Sequence, residues 1–327
     1  MRHRLLGNGL EVSSIGLGCM GMSEFYGAVD PAEALATIRA ALDAGVTLLD
    51  TADVYGPFTN ERLVGQAVAG RRDEVVITTK SGIVRGWGGG AVGELDGRPE
   101  YVQRALRESL VRLGVDSVDL YYLHRVDPRV PVEDTVGALA DLVAAGLVRH
   151  IGLSEVGVDT LRRAQAVHPV TALQSEYSLT SRDPERGGVL AACRELGVGF
   201  VACSPLGRGL LTGAVRDPDL LDPDDLRRSH PRFLGTNLAH NLGLVADLRE
   251  IAQDKGVTSG QLAIAWLLAQ GEDVVPIPGT GRRDHLAENL HAAQLVLAPD
   301  ELRRLDRAFP PGAAVGDRYA DLSRLTS

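Results

Sequence analysis

Cysteine is scarce and unpaired in this 327-residue chain. Cys19, Cys193 and Cys203 form an odd set with no CxxC spacing, which fits neither a disulfide scaffold nor a structural zinc site and points to a reducing compartment. Basic clusters are missing as well. The 34 Lys and Arg against 43 Asp and Glu give a formal charge of -9 and a pI near 5.4, which argues against nucleic acid or an anionic membrane as the main partner. Long apolar runs are also absent: stretches such as residues 262–269 are far too short to span a bilayer, and the opening MRHRLLGNGLEV has no apolar signal-peptide core. A cytoplasmic protein is expected.

What is present reads as an ordinary globular chain, with 44% hydrophobic and 24% charged residues, long enough to bury a sizeable core. After a hairpin-like entry over residues 3–13, turning at Gly7, Asn8 and Gly9, strand-length apolar runs alternate with helix-period segments. The spacing predicts strands over 15–19, 47–51, 74–80, 118–124, 148–154, 171–177, 199–206 and 274–279. Between and after them, helices are predicted over 31–44, 60–69, 99–113, 132–145, 159–167, 185–196, 239–270, 283–293 and 299–309. Many of these open on an entry signal such as Asp30-Pro31 or Arg98-Pro99 and stop at a glycine such as Gly45 or Gly114. Strands such as VVIT and LYYL are apolar at successive positions, as expected when both faces of a parallel sheet are covered. Eight strand–helix units without a linker predict one (β/α)8 barrel domain over 1–327, with an N-terminal hairpin and an extra C-terminal helix. The irregular segments at 81–97, at 207–236 and from 310 onward follow strand ends, where this fold builds its active face.

Gly16, Gly18 and Gly21 spell GxGxxG, the dinucleotide fingerprint of another fold, but no helix opens at the third glycine. They read as a glycine-rich exit from the first barrel strand. The chemistry sits elsewhere. Asp50 and Tyr55 in DTADVYG, Lys80 closing VVITTK and His124 closing DLYYLHR lie at or just after three consecutive strand ends, which one barrel mouth brings together. An ammonium held by a carboxylate and set beside a phenol is expected to lower the phenol's pKa and make Tyr55 a general acid. A neighbouring histidine would orient or polarise a carbonyl. Taken singly, each residue also fits a structural role: a strand-end histidine, a packed loop tyrosine, a barrel-rim ion pair.

The segments LDTADVYGPFTNERLVG, VVITTKSG, DLYYLHRVDP, GLSEV, QSEYSL, SPLGRGLLTG, IPGT and HLAENL resemble the aldo-keto reductases along nearly the whole chain, and GLSEV with HPVTALQSEYSL is similar to the bacterial and plant branch that includes perakine reductase. The resemblance implies a metal-free (β/α)8 barrel, NADPH/NADP+ as cofactor, a small carbonyl substrate, and Asp50, Tyr55, Lys80 and His124 as catalytic tetrad. It further implies that Ser154, Gln174 and the neighbouring Glu155 hold the nicotinamide carboxamide, with Cys19, Met20 and Asp50 also among the cofactor-binding residues. Ser204, Leu206, Arg208 and Gly209 would run along the pyrophosphate and its covering loop, Thr280, Arg282, His285, Glu288 and Asn289 would meet the adenosine end, and Cys203, Pro205 and Gly279 would be further cofactor-binding positions. A phosphate at the start of that last helix would meet free N–H groups and the adjacent Arg282 and Arg283, which suits a 2′-phosphate.

Two positions depart from the family pattern. Glu155 stands where an asparagine often follows the serine in the wider family, and an ionised carboxylate only accepts hydrogen bonds, but the resembled branch also shows glutamate there, so it reads as subfamily character. Cys203 stands where related sequences carry the tyrosine that stacks on the nicotinamide. Candidate substrate contacts are Tyr26, Trp87, Val126 and Tyr319. The leading expectation is hydride transfer from NADPH to an aldehyde or ketone, with Tyr55 giving the proton. Two alternatives stand beside it: a cofactor-retaining redox sensor or regulatory subunit, and a lyase or hydrolase using the same mouth. Substrate and oligomeric state are left open by the sequence.

Overall fold

In the computed structural model, which describes residues 1–85 and 93–319, the first element is a short antiparallel hairpin, β1 (His3–Leu5) with β2 (Glu11–Ser13). Its turn at Gly7–Gly9 lies against the barrel floor: a Cβ on Gly7 would stand 2.5 Å from the Thr171 carbonyl oxygen. Eight parallel strands follow in chain order around one sheet: β3 (Leu17–Gly18), β4 (Leu48–Asp50), β5 (Val76–Ser81), β6 (Val118–Leu123), β7 (Val148–Ser154), β8 (Val170–Glu176), β9 (Gly199–Cys203) and β10 (Val274–Pro276). The ring closes between its ends, where Gly18 bridges Gly279 and the N–H groups of Gly16 and Gly18 donate to the carbonyls of Pro276 (3.0 Å) and Pro278 (3.3 Å). This seam accounts for the glycine-rich motif. A Cβ on Gly18 would lie 2.9 Å from the Ile277 carbonyl oxygen, and a one-turn 3-10 helix at Met20–Met22, not a long helix, comes next.

Helices cover the outside. α1 (Pro31–Asp43) starts on Asp30, whose side chain accepts from Ala32 N, with proline at its first position. α2 (Thr59–Val68), α3 (Pro99–Leu113), α4 (Val132–Ala144) and α5 (Val158–Val167) follow the expected pattern, α3 ending on left-handed Gly114. Two expected helices are broken. Residues 185–196 divide into α6 (Asp183–Arg186) and α7 (Val189–Leu196) at left-handed Gly188. Residues 239–270 divide into α8 (Gly235–Lys255) and α9 (Ser259–Leu268): Gly256, at φ 72°, ends the first, and a reciprocal cap between Thr258 and Gln261 starts the second. α10 (Arg283–His291) and the extra C-terminal helix α11 (Pro299–Ala308) complete the shell. Among the described residues no helix is long and apolar enough to cross a membrane.

Alternation along each strand divides the core in two. Leu49, Ile77, Leu123, Ile151 and Leu173 point outward and pack with Ile38, Leu106, Leu139 and Leu161 of the helices. Leu48, Leu120, Tyr122, Ala172, Val201 and Val275 point inward and meet Leu6, Leu10 and Val12 of the hairpin, which plug the lower end. Arg4 fastens the plug, its guanidinium donating to the carbonyls of Leu268, Gly271 and Val274.

Candidate active site

The parity that sends Leu48, Leu120 and Ala172 into the barrel floor sends Asp50, His124 and Gln174 to the same inner face at the opposite end. Thr78 and Lys80 share that face on β5. Lys80 Nζ is fully buried and donates to Asp50 Oδ1 at 2.5 Å, to the Thr51 carbonyl at 2.8 Å and to the Tyr55 hydroxyl at 3.4 Å. The second carboxylate oxygen of Asp50 accepts from Thr78 Oγ1 (2.7 Å) and Gln174 Nε2 (2.8 Å), so the anion of β4 is held from two further strands, β5 and β8. Lys80 is one of two lysines in a chain that otherwise uses arginine. A compact ammonium can serve a carboxylate and a phenol at once, where a planar guanidinium would impose its own fork. Tyr55 follows β4 in a turn tied by Asn60, which accepts from Thr51 Oγ1 and donates to Ser23 Oγ and the Cys19 carbonyl. His124 meets the Tyr55 ring edge-on, centroids 5.9 Å apart.

The protonation states are well separated. Burial, then the charges of Arg125 and Lys80, hold the His124 imidazole well below its usual value, so it is neutral at physiological pH. Burial and then the Asp50 carboxylate push the Tyr55 phenol well above its usual value. This corrects the expectation that the ammonium draws the phenol down. Asp50 matches the Lys80 charge at 2.5 Å, and the net effect on the desolvated phenol is upward. Tyr55 is therefore protonated at physiological pH.

Beside this chain lies a buried ionic rim. Glu176, at the end of β8, accepts from Arg208 (3.1 Å), Arg232 (3.3 Å) and Ser181 Oγ (2.5 Å). Burial favours its neutral form, but the three guanidiniums of Arg208, Arg232 and Arg318 outweigh that and hold it below its usual value. The loop after β9 crosses toward the loop after β3, where Leu226 N donates to the Phe25 carbonyl and Ala28 N to Asp222 Oδ2. Glu155, Ser204 and Arg208 have positive φ (54°, 49° and 58°), so half of the six non-glycine residues with this strained backbone among the described residues cluster here. Among the described residues no group of three His, Cys, Asp or Glu is placed to hold a metal ion.

The aldo/keto reductase family model matches residues 14–309. The chain belongs to the aldo/keto reductase family. It is similar to the thermostable aldo-keto reductase Tm1743, solved with the inhibitor epalrestat, at 33% identity over 94% of this chain and 100% of that one, with a TM-score of 0.75. The glycerol dehydrogenase AKR11B4 from Gluconobacter oxydans superposes with a TM-score of 0.85 at 26% identity, covering 94% and 96% of the two chains. An aldo/keto reductase from Klebsiella pneumoniae, solved with NADP and acetate, matches at 29% identity and a TM-score of 0.74, covering 98% and 99%.

Within this aldo-keto reductase the expected cofactor positions form an arc from the mouth to the barrel seam. Cys19 is buried with its N–H on the Asp50 carbonyl, and Met20 packs near Tyr55. Ser154 and Gln174 are register partners on β7 and β8, Gln174 already on Asp50 and Ser154 accepting from Arg125 at 3.0 Å. Cys203 ends β9 half-buried, its thiol pushed up to about 12 by burial and by Glu155. Ser204, Pro205 and Leu206 lead into Gly207, Arg208 and Gly209, a run of left-handed residues (φ 56°, 58° and 88°) that curls the chain at the mouth. Arg208 Nε is buried there with no hydrogen-bond partner, which fits an anionic group such as a pyrophosphate. At the seam, Gly279 leads to Thr280, whose hydroxyl accepts from Arg282 N, and to a surface concavity of about 450 Å³ lined by Glu33, Arg282, Arg283 and Asp284. Asn289 is buried, His285 is exposed and Glu288 accepts from Thr258 Oγ1.

Three expected roles meet a different geometry. Glu155 directs its carboxylate to Glu176 N (2.8 Å) and to Arg318 (3.2 Å) and so is engaged away from a carboxamide. Arg282 and Arg283 are bound by Asp284 and Glu33. Val126 packs into the helix-side core instead of a substrate wall. Tyr26 accepts from Arg208 and Tyr319 packs under its guanidinium, whereas Trp87 lies outside the described residues. Sequence reasoning missed Thr78, Glu176, Arg232 and Arg318. Strand parity would have found the first two, since Thr78 and Glu176 lie on the inner face with Lys80 and Gln174.

Proposed function

We propose that this single-barrel chain is an NADPH-dependent reductase of aldehydes or ketones in which Tyr55 is the general acid. The observation that carries this is Lys80 Nζ, fully buried and within hydrogen-bond distance of both Asp50 and the Tyr55 hydroxyl, with a neutral His124 against the same ring. Bound NADPH supplies the hydride. The chain's own groups handle the oxygen. A carbonyl set between Tyr55 and His124 accepts a hydrogen bond from the neutral imidazole and the phenol, and as its carbon is reduced the oxygen takes the Tyr55 proton. The phenolate left behind is stabilised by the Lys80 ammonium, which Asp50, Thr78 and Gln174 hold in place, until a solvent proton restores it. Aldehyde or ketone becomes alcohol.

The cofactor would lie along the arc from Ser154 and Gln174, past Ser204 to Gly209, to Thr280 and the start of α10, where Arg282 and Arg283 suit a 2′-phosphate that competes with Glu33 and Asp284. The test is NADPH consumption over a panel of aldehydes, ketones and quinones, for the native chain and for Tyr55→Phe. The expected result is consumption that falls by about 10²-fold or more in the variant, with NADPH affinity unchanged. NADPH binding without consumption of any panel member would overturn the reductase reading in favour of a sensor.

A further inference from the structure

Glu155 and the departing Cys203 both lie near the segment that carries Arg318 and Tyr319. Arg318 reaches back to the end of β7 and donates to both oxygens of Glu155 at 3.2 Å, while one of those oxygens also caps Glu176 N. The pair is buried: the Arg318 side chain is 14% exposed and that of Glu155 4%. The neighbouring backbone is fastened too, since Arg232 Nε donates to the Gly316 carbonyl and Asn241 exchanges hydrogen bonds with Val315. Tyr319 is thereby seated with the Arg208 guanidinium 4.9 Å above its ring and His230 on another side at 6.3 Å. Glu176, the register partner of Cys203 on β8, accepts from the same Arg208 guanidinium that lies over the Tyr319 ring, and its N–H donates to the Glu155 carboxylate that Arg318 holds. The segment therefore lies over the end of β9 at the barrel mouth.

We propose that Glu155 and Arg318 are positioning residues, a clasp that seats Tyr319 over Cys203 as the aromatic wall of the reaction chamber. The proposal rests on the reductase reading for the meaning of the chamber, but not for the clasp itself. Where residue 203 brings no ring from the barrel, the ring arrives from the C-terminal segment, and the glutamate at 155 is the anchor that an asparagine would be too weak to provide for a guanidinium. The ring then covers a thiol that would otherwise face the mouth.

The readout is alkylation of Cys203 by iodoacetamide, followed by mass spectrometry on the full chain, with buried Cys19 and Cys193 as internal controls of folding. Arg318→Ala and Tyr319→Ala are expected to speed Cys203 alkylation at least about fivefold while Cys19 and Cys193 stay unreactive, and Arg318→Lys and Tyr319→Phe to stay near the native rate. An unchanged Cys203 rate in both alanine variants overturns the clasp. Should all three thiols of Arg318→Ala react, the variant has unfolded and Tyr319→Ala, which leaves the ion pair intact, decides. A parallel NADPH titration separates the two readings: faster Cys203 labelling with no NADPH binding by any protein retains the clasp and sinks the reductase, whereas tight NADPH binding with unchanged labelling does the reverse. A reductase with the wall in place is further expected to show raised KM for aromatic carbonyls in Tyr319→Ala.

Discussion

The two ends of this barrel are made by the same strands and obey opposite rules. At the lower end the inward positions are Leu48, Leu120, Ala172 and Val201, sealed by the hairpin's Leu6, Leu10 and Val12, and dispersion with burial of apolar surface does the work. At the mouth, two to four residues further along, the same inward positions carry Asp50, Lys80, His124, Gln174 and Cys203. Nothing in the backbone ladder distinguishes the ends. The difference lies in paired charge: the buried Arg4 guanidinium of the plug is held by backbone carbonyls, whereas the mouth buries a carboxylate and an ammonium that stabilise each other. A polar interior at one end is therefore a functional arrangement carried by a floor that supplies the stability.

The largest expected effect comes from breaking the pair at the mouth. Lys80→Met leaves Asp50 buried with only Thr78 and Gln174 to hold it, which should cost about 3–5 kcal/mol in urea unfolding and reduce turnover by about 10³-fold or more. Adding Asp50→Asn removes the stranded charge. The double variant should regain most of the stability and none of the activity. Recovery of both would mean the pair is only a structural ion pair of the rim.

The floor should respond in the contrary way. Leu6→Ala removes a buried side chain from the plug and is expected to lower stability by about 3 kcal/mol while kcat of the surviving folded protein stays within about twofold of native. A loss of kcat that matched the loss at the mouth would show that the ends are coupled, and the division drawn above would fail.

Legibility in the sequence followed the same division. The strands and most helix ends could be read because they depend on local signals, apolar runs and glycine stops, that survive without knowledge of contacts. The breaks at Gly188 and at Gly256 to Thr258 were missed because the apolar pattern runs on through both, and only the cap of Thr258 on Gln261 marks the restart. Asp50, Tyr55, Lys80 and His124 were legible because a barrel brings successive strand ends together whatever their side chains. The rim was not. Arg318 and Glu155 are 163 positions apart, and no periodicity joins a C-terminal arginine to the end of β7. The direction of the Tyr55 shift was misread for a related reason: charge signs can be read along a chain, but desolvation depends on what closes over the group.

The smallest effect sharpens the comparison through pH. His230 lies in the rim against Phe233 and Tyr319, and burial, then the charge of Arg208, push its imidazole down to about 4. In the unfolded chain the same ring titrates near 6.5. Above that value neither state binds the proton and no stability is lost. Below it the unfolded chain binds first, so stability falls as the pH drops from about 6.5 toward 4 and levels off beneath. Between pH 7 and 5 this one group should remove about 2 kcal/mol, and His230→Gln should therefore lose that much less than the native protein over the same interval in paired urea titrations. His124, held low for the same first cause, keeps part of the native pH dependence in that variant. Leu6→Ala, by contrast, should shift stability by the same amount at both pH values, because the plug titrates nothing at its packing face. A pH-dependent penalty at Leu6, or an unaltered acid slope in His230→Gln, would place the acid-labile charge outside the mouth.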